Sequence, residues 1–135
     1  MGEWTYEYEE AGVITKGSMS TTWASGKHCT IGHSLETSKK GAWHGTLVSG
    51  WDALKNQIVD TGYGADGSTM TDRWTIKSPT LEESDGTGVS PQGTPATRKL
   101  RIEKKPDEFT WTASGRTEGG KALPDLIIVF RRVEK

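Results

Sequence analysis

Six tryptophans sit one by one in short stretches that alternate apolar and polar residues. In Phe109-Thr110-Trp111-Thr112-Ala113-Ser114, the members Phe109, Trp111 and Ala113 fall on one side and the three hydroxyl residues on the other. A period of two belongs to a strand with one dry and one wet face. The same pattern surrounds Trp4, Trp23, Trp43, Trp51 and Trp74, and no segment carries a helical stripe. Large aromatics spread over many such strands are what fills or lines a barrel.

Turn residues set the strand count. Gly, Asn, Asp and Pro recur about every ten residues, as at Ala11-Gly12, Ser25-Gly26-Lys27, Gly64-Ala65-Asp66-Gly67 and Pro106-Asp107. They divide the chain into ten expected strands: 2–9, 14–24, 27–36, 42–51, 56–63, 68–77, 80–87, 94–104, 107–117 and 124–134. Residues 80–95, with two prolines and Glu82-Glu83-Ser84-Asp85, read as an irregular edge or a mobile loop. The hydrophobic fraction of 32% and the 17 glycines fit many short strands better than helices. No linker interrupts residues 1–135, which read as one domain: an all-β, antiparallel, up-and-down barrel of eight to ten strands.

Alternation also assigns faces. Trp4, Tyr6 and Tyr8 share one, as do Met19, Thr21 and Trp23; Cys29, Ile31, His33 and Leu35; Trp43, Gly45, Leu47, Ser49 and Trp51; and Met70, Asp72, Trp74 and Ile76. Taken as the inward set, these mix aromatics with Gly, Ser, Thr, His and Asp. A solid core prefers interlocking Leu, Ile and Val. Aromatics beside small and polar groups suit a cavity with a few oriented anchors. The expected cavity residues are Tyr6, Trp23, His33, Trp43, Trp51, Asp72, Trp74 and Trp111; the alternative is a collapsed barrel that the indoles simply fill. In the last strand Leu126, Ile128 and Phe130 oppose Ile127 and Val129, so both faces are apolar and a covering surface is expected.

Chemistry is sparse. A net charge of −1 gives no reason to expect nucleic acid or an anionic membrane as partner. Acidic Glu3, Glu7, Glu9 and Glu10 open the chain, and Arg131 and Arg132 near its end are expected to lie beside them. His28 and His33 have opposite parity and His44 is expected to face out, so no metal site is expected. His33 as a haem ligand is the weaker alternative to an uncoordinated polar residue, and no cofactor motif occurs. Cys29 is the lone cysteine and cannot couple to adjacent His28 across a strand; it reads as buried and inert. With no internal disulfide and no signal peptide before Trp4, a cytoplasmic location is expected. Arg116, of opposite parity to Trp111, is expected at the barrel rim.

Gly2-Glu3-Trp4, the hairpin Ser49-Gly50-Trp51-Asp52-Ala53-Leu54-Lys55-Asn56, and the end from Phe109 through Leu123-Pro124-Asp125 resemble small bacterial lipocalin-like (calycin) domains of unknown function, of the kind found C-terminal to NTF2-like (SnoaL-like) domains. The resemblance implies that Trp4, with Arg131 or Arg132 over it, closes one barrel end. It also implies an NTF2-like domain as a fused or docking partner. Such domains usually carry an apolar segment before the Gly-x-Trp, and here the chain starts almost at the motif. That departure suggests an excised domain or a short form, and a targeting signal lost with the rest if the chain is excised.

Three functions follow as expectations. The first is binding of a small apolar or aromatic molecule without catalysis. The second is an interaction module, resting on the resemblance and on the apolar last strand. The third is acid–base chemistry by Asp72, His33 and a tyrosine.

Overall fold

The computed structural model describes residues 2–134. Its strands are β1 (Gly2–Glu10), β2 (Val13–Trp23), β3 (Cys29–Ser38), β4 (Gly41–Asp52), β5 (Gln57–Gly64), β6 (Thr69–Ser78), β7 (Leu81–Val89), β8 (Pro95–Lys105), β9 (Glu108–Glu118), β10 (Lys121–Ala122) and β11 (Leu126–Arg132). Each of β1 to β8 pairs antiparallel with the next. β9 pairs with both β8 and β11, and β11 pairs with β1, so ten strands close into an up-and-down barrel. Closure removes every long exposed edge. Among the described residues no helix is long and apolar enough to cross a membrane.

The expected strand boundaries agree with these to within two or three residues. The stretch 80–95 is neither edge nor mobile loop. β7 pairs with β6 and β8 along its length, and Ser90 organises the following turn by accepting the amide N–H groups of Gln92 and Thr94 at 3.3 and 3.2 Å. Segment 124–134 is shorter than expected, because Lys121–Ala122 first folds back on β9 before β11 begins.

One end of the barrel is packed. Tyr6, Ile128 and Phe130 form one buried cluster, and Trp74, Leu100 and Ala113 form a second; Trp111 and Leu126 touch both. Phe109 stacks on Phe130 with ring centroids 4.5 Å apart. Trp4 meets Phe109 edge-on at 4.8 Å. Arg132, and not Arg131, lies over Trp4, its guanidinium carbon 4.7 Å from the ring centre. Arg131 has the other parity and pairs with Glu108 at 3.4 Å. The first and last strands are neighbours, as their charges imply; Glu10 of β1 reaches past β11 to pair with Arg116 on β9, at 2.6 Å.

Two of the polar links that reach across an intervening strand pass over a glycine. Asp72 on β6, Gly86 on β7 and Arg98 on β8 lie in one register row. The Arg98 Nε donates to Asp72 Oδ1 at 3.1 Å and its Nη2 donates to Oδ2. A β-carbon on Gly86 would overlap the Asp72 carboxylate. Likewise Tyr6 on β1, Gly17 on β2 and Glu36 on β3 share a row, and the tyrosine ring crosses over Gly17 to reach Glu36.

The Asp72–Arg98 link should therefore fail when Gly86 gains a side chain. Asp72 is 2% exposed, so separating it from its guanidinium strands a buried charge. Gly86→Ala is expected to lower the unfolding free energy by about 2–4 kcal/mol. Urea denaturation checks this; a loss below about 0.5 kcal/mol, within the range of ordinary surface changes, would show that the strands can spread and the pair persist.

Candidate functional site

Above the packed half the lumen opens. A cavity of about 510 Å³ enters between the turns at 11–12, 39–40, 65–68 and 90–94 and descends to Tyr6, Met19, Trp111, Leu126 and Ile128. That volume lies within the range of small-molecule sites. Neither expectation for the interior is complete by itself: one half of the barrel is filled and the other half is a cavity.

Of the expected cavity residues, Tyr6, Trp43 and Trp111 line it. Trp74 and Asp72 face inward but are buried below it: Trp74 donates its indole N–H to Asp60 at 2.8 Å, and Asp72 is held by Arg98. Trp23 and Trp51 have inward parity, yet they lie where β2 and β4 run out at the closed end, 50% and 59% exposed. His33 faces outward, against expectation. It pairs with Ser20 and Thr46 on the outer face and is exposed, so a lumenal haem would find no ligand in it, and the Asp72–His33–tyrosine trio is not assembled. The whole of β3 is reversed relative to expectation: Gly32, Ser34 and Glu36 face in, while Ile31, His33 and Leu35 face out. Cys29 shares that outer parity and is half-buried rather than fully buried.

Reversing β3 brings an unexpected carboxylate into the lumen. Glu36 accepts the Tyr6 hydroxyl at Oε1, 2.8 Å away, and the Tyr8 hydroxyl at Oε2, 3.0 Å away. The two tyrosine rings are nearly parallel, with centroids 6.4 Å apart. Burial, reinforced by the Glu36 charge, pushes the Tyr8 phenol up to about 12. The same causes, burial foremost, push Tyr6 higher still. Both therefore remain hydrogen-bond donors at any physiological pH. Trp43 is the cross-strand partner of Glu36 and rests against Gly45.

Two arginines complete the wall. Arg98 faces Trp111, with its guanidinium carbon 5.6 Å from the ring centre. Arg116 was expected on the outer parity, but Gly115 adopts φ +55 and the β8–β9 register shifts there. This bulge turns Arg116 to the inner side, as a glycine in the left-handed region permits. Arg116 donates to Glu10 Oε2 at 2.6 Å and to the Pro124 carbonyl at 2.9 Å, fixing the Leu123-Pro124-Asp125 segment at the mouth. The Gly-Trp-Asp hairpin has a structural task at the other end. Asp52 Oδ1 accepts the N–H groups of Leu54 and Lys55 at 3.1 and 3.2 Å, and Oδ2 pairs with Arg73. Among the described residues no group of three or more His, Cys, Asp or Glu side chains is placed to hold a metal ion.

No protein-family model and no curated protein matches the chain. A solved structure described as "Structure of EF1p2_mFAP2b bound to DFHBI" aligns over 98% of this chain and 92% of that one, at 18% identity and a TM-score of 0.42. That likeness is too distant to bear on what this barrel binds.

Asp60, opposite Asp72 on the inner face, supplies a pH test. Burial raises its pKa, and the Ser49 hydroxyl and the Trp74 indole offset only part of that; Oδ1 has no hydrogen-bond partner among the described residues. A carboxyl whose folded pKa is raised favours the fold while protonated and disfavours it once pH climbs through that raised value. Asp60→Asn should thus stabilise the barrel, on the order of 1 kcal/mol, at pH 7, with the gain shrinking toward pH 3. Urea midpoints of both proteins across that range check it; a constant difference would contradict the assignment.

Proposed function

We propose that this protein is a non-enzymatic, lipocalin-like barrel that binds one small, largely apolar molecule in the cavity at its open end. The observation that carries this reading is the half-filled lumen: about 510 Å³ of space walled by aromatic and aliphatic side chains together with hydroxyl and a few charged groups, above a core that is already packed without it. Ten strands enclose more width than these side chains fill, and closed barrels of similar size hold one small ligand. Glu36, Arg98 and Arg116 at the wall are each already tied to a partner, which orients them without assembling a nucleophile and base. Tyr6, Trp43 and Trp111 are the ligand contacts retained from the sequence; Tyr8, Glu36 and Arg98 join them.

Binding is measured by tryptophan fluorescence and calorimetry with a panel of aromatic and aliphatic compounds. The expected result is saturable, one-to-one binding that quenches part of the emission. Gly62 lines the cavity, and a β-carbon there would meet Leu47 only at ordinary contact distance. Gly62→Leu should therefore fold and reduce affinity at least tenfold, whereas Trp51→Phe should leave it unchanged. Binding that survives Gly62→Leu and is lost in Trp51→Phe would overturn the proposal.

A second reading, an accessory module docking on an NTF2-like domain, draws on the opposite end. Trp23, Trp51, Leu54 and Ile76 are all at least half exposed there, and the outer face of β11 leaves Ile127 63% exposed. Light scattering of the barrel mixed with such a domain tests it: a one-to-one complex that Leu54→Glu abolishes supports docking, and two unassociated species remove it.

A further inference from the structure

The charges around the cavity do not balance, and their arrangement narrows the ligand class. This inference rests on the proposed binding function and adds the sign of the ligand's charge. The charged side chains lining the cavity are Glu10, Glu36, Glu118, Arg98 and Arg116, with no lysine. Each arginine already has its own carboxylate. Arg98 is held in a two-pronged pair by Asp72, which is buried, and Arg116 is held by Glu10. Neither guanidinium therefore offers an uncompensated charge to an incoming anion. Glu36 and Glu118 remain, and Glu36 is the deeper of the two, held inside the wall by the two tyrosine hydroxyls.

Those hydroxyls neutralise nothing. They are neutral donors that use one acceptor position on each oxygen, and a carboxylate offers about two per oxygen. Around Glu36 stand Tyr6, Tyr8 and, directly across the strand pair, Trp43. A carboxylate beside several electron-rich rings in a partly enclosed space is the arrangement that stabilises an organic ammonium ion. The rings attract the cation through their quadrupoles, and the carboxylate supplies the counter-charge. An inorganic cation is held by several converging hard oxygen ligands, carboxylates foremost, and among the described residues Glu36 is not part of any group of three or more His, Cys, Asp or Glu side chains placed to hold a metal ion. Below, Met19, Trp111 and Leu126 provide an apolar floor for the rest of the molecule.

We propose that the cavity takes an organic monocation, an ammonium group on an aromatic or aliphatic body, with the ammonium seated between Glu36 and the rings of Tyr6, Tyr8 and Trp43. The selectivity is set by charge, because a neutral molecule of the same shape gains the floor and loses the seat.

The test uses three probes of similar shape on the whole chain: phenyltrimethylammonium, neutral tert-butylbenzene and anionic benzenesulfonate. Calorimetry is expected to rank the cation at least tenfold tighter than the neutral probe, with the anion weakest. Glu36→Gln keeps an acceptor for a tyrosine hydroxyl and should remove most of the cation's advantage over the neutral probe. The wild-type ranking needs no variant, so a misfolded Glu36→Gln would not rescue the proposal. Equal affinity for cation and neutral probe overturns it and leaves the apolar-ligand reading standing. Preference for the sulfonate overturns it in favour of the arginines. Preference for the cation that Glu36→Gln does not diminish removes Glu36 from the seat. No binding of any probe, with the chain folded, overturns both the charge assignment and the cavity reading.

Discussion

The link from Asp72 to Arg98 across Gly86 fixes how the interior divides. Each charge taken alone would be costly inside a barrel, since the effective penalty is several kcal/mol per buried ion. Paired over a strand that has no side chain at that row, they form a crosspiece between β6 and β8. The guanidinium also meets the Trp111 ring, so the crosspiece is continuous with the aromatic wall. Below it lie Trp74, Leu100 and Ala113; on the other side the lumen widens into the cavity. A barrel filled only by branched aliphatic residues would have no such level at which packing stops.

The second crosspiece, Tyr6 to Glu36 over Gly17, repeats the device a few strands away with neutral donors on a carboxylate. Its consequence differs. Asp72 spends its charge on Arg98, whereas Glu36 is met by phenols that cannot carry a positive charge. One crosspiece is electrostatically complete and serves the fold; the other keeps its negative charge beside aromatic rings and gives the cavity its chemical character. Arg116, turned inward by the bulge at Gly115, ties Glu10 and the Pro124 carbonyl together and holds the mouth segment in place.

The sequence is legible where a residue's neighbours are local. Turn residues mark the strand ends, and alternation places Trp4, Tyr6, Trp43 and Trp111 on the inner face. It misleads where the inner face is the more polar one. In β3, Ile31 and Leu35 look like the core side, yet Gly32, Ser34 and Glu36 face the lumen because the Tyr6 and Tyr8 rings need both room and an acceptor there. The glycine at position 17, in a strand whose inner neighbours are Thr15 and Met19, is the signal that a ring crosses it. Arg116 is displaced by a bulge, and a lone glycine beside Ser114 does not announce one. Trp23 and Trp51 obey the alternation and still miss the cavity, since parity gives a side chain's direction and not its height along the barrel.

These residues make the six indoles reporters of where a ligand sits. Fluorine NMR of the chain labelled with 5-fluorotryptophan, its resonances assigned by single Trp→Phe substitutions, reads each indole separately during titration with phenyltrimethylammonium. Binding at the open end predicts shifts at Trp43 and Trp111 and unmoved signals from Trp23 and Trp51. Shifts confined to Trp23 and Trp51 would place the ligand at the closed end and contradict the account.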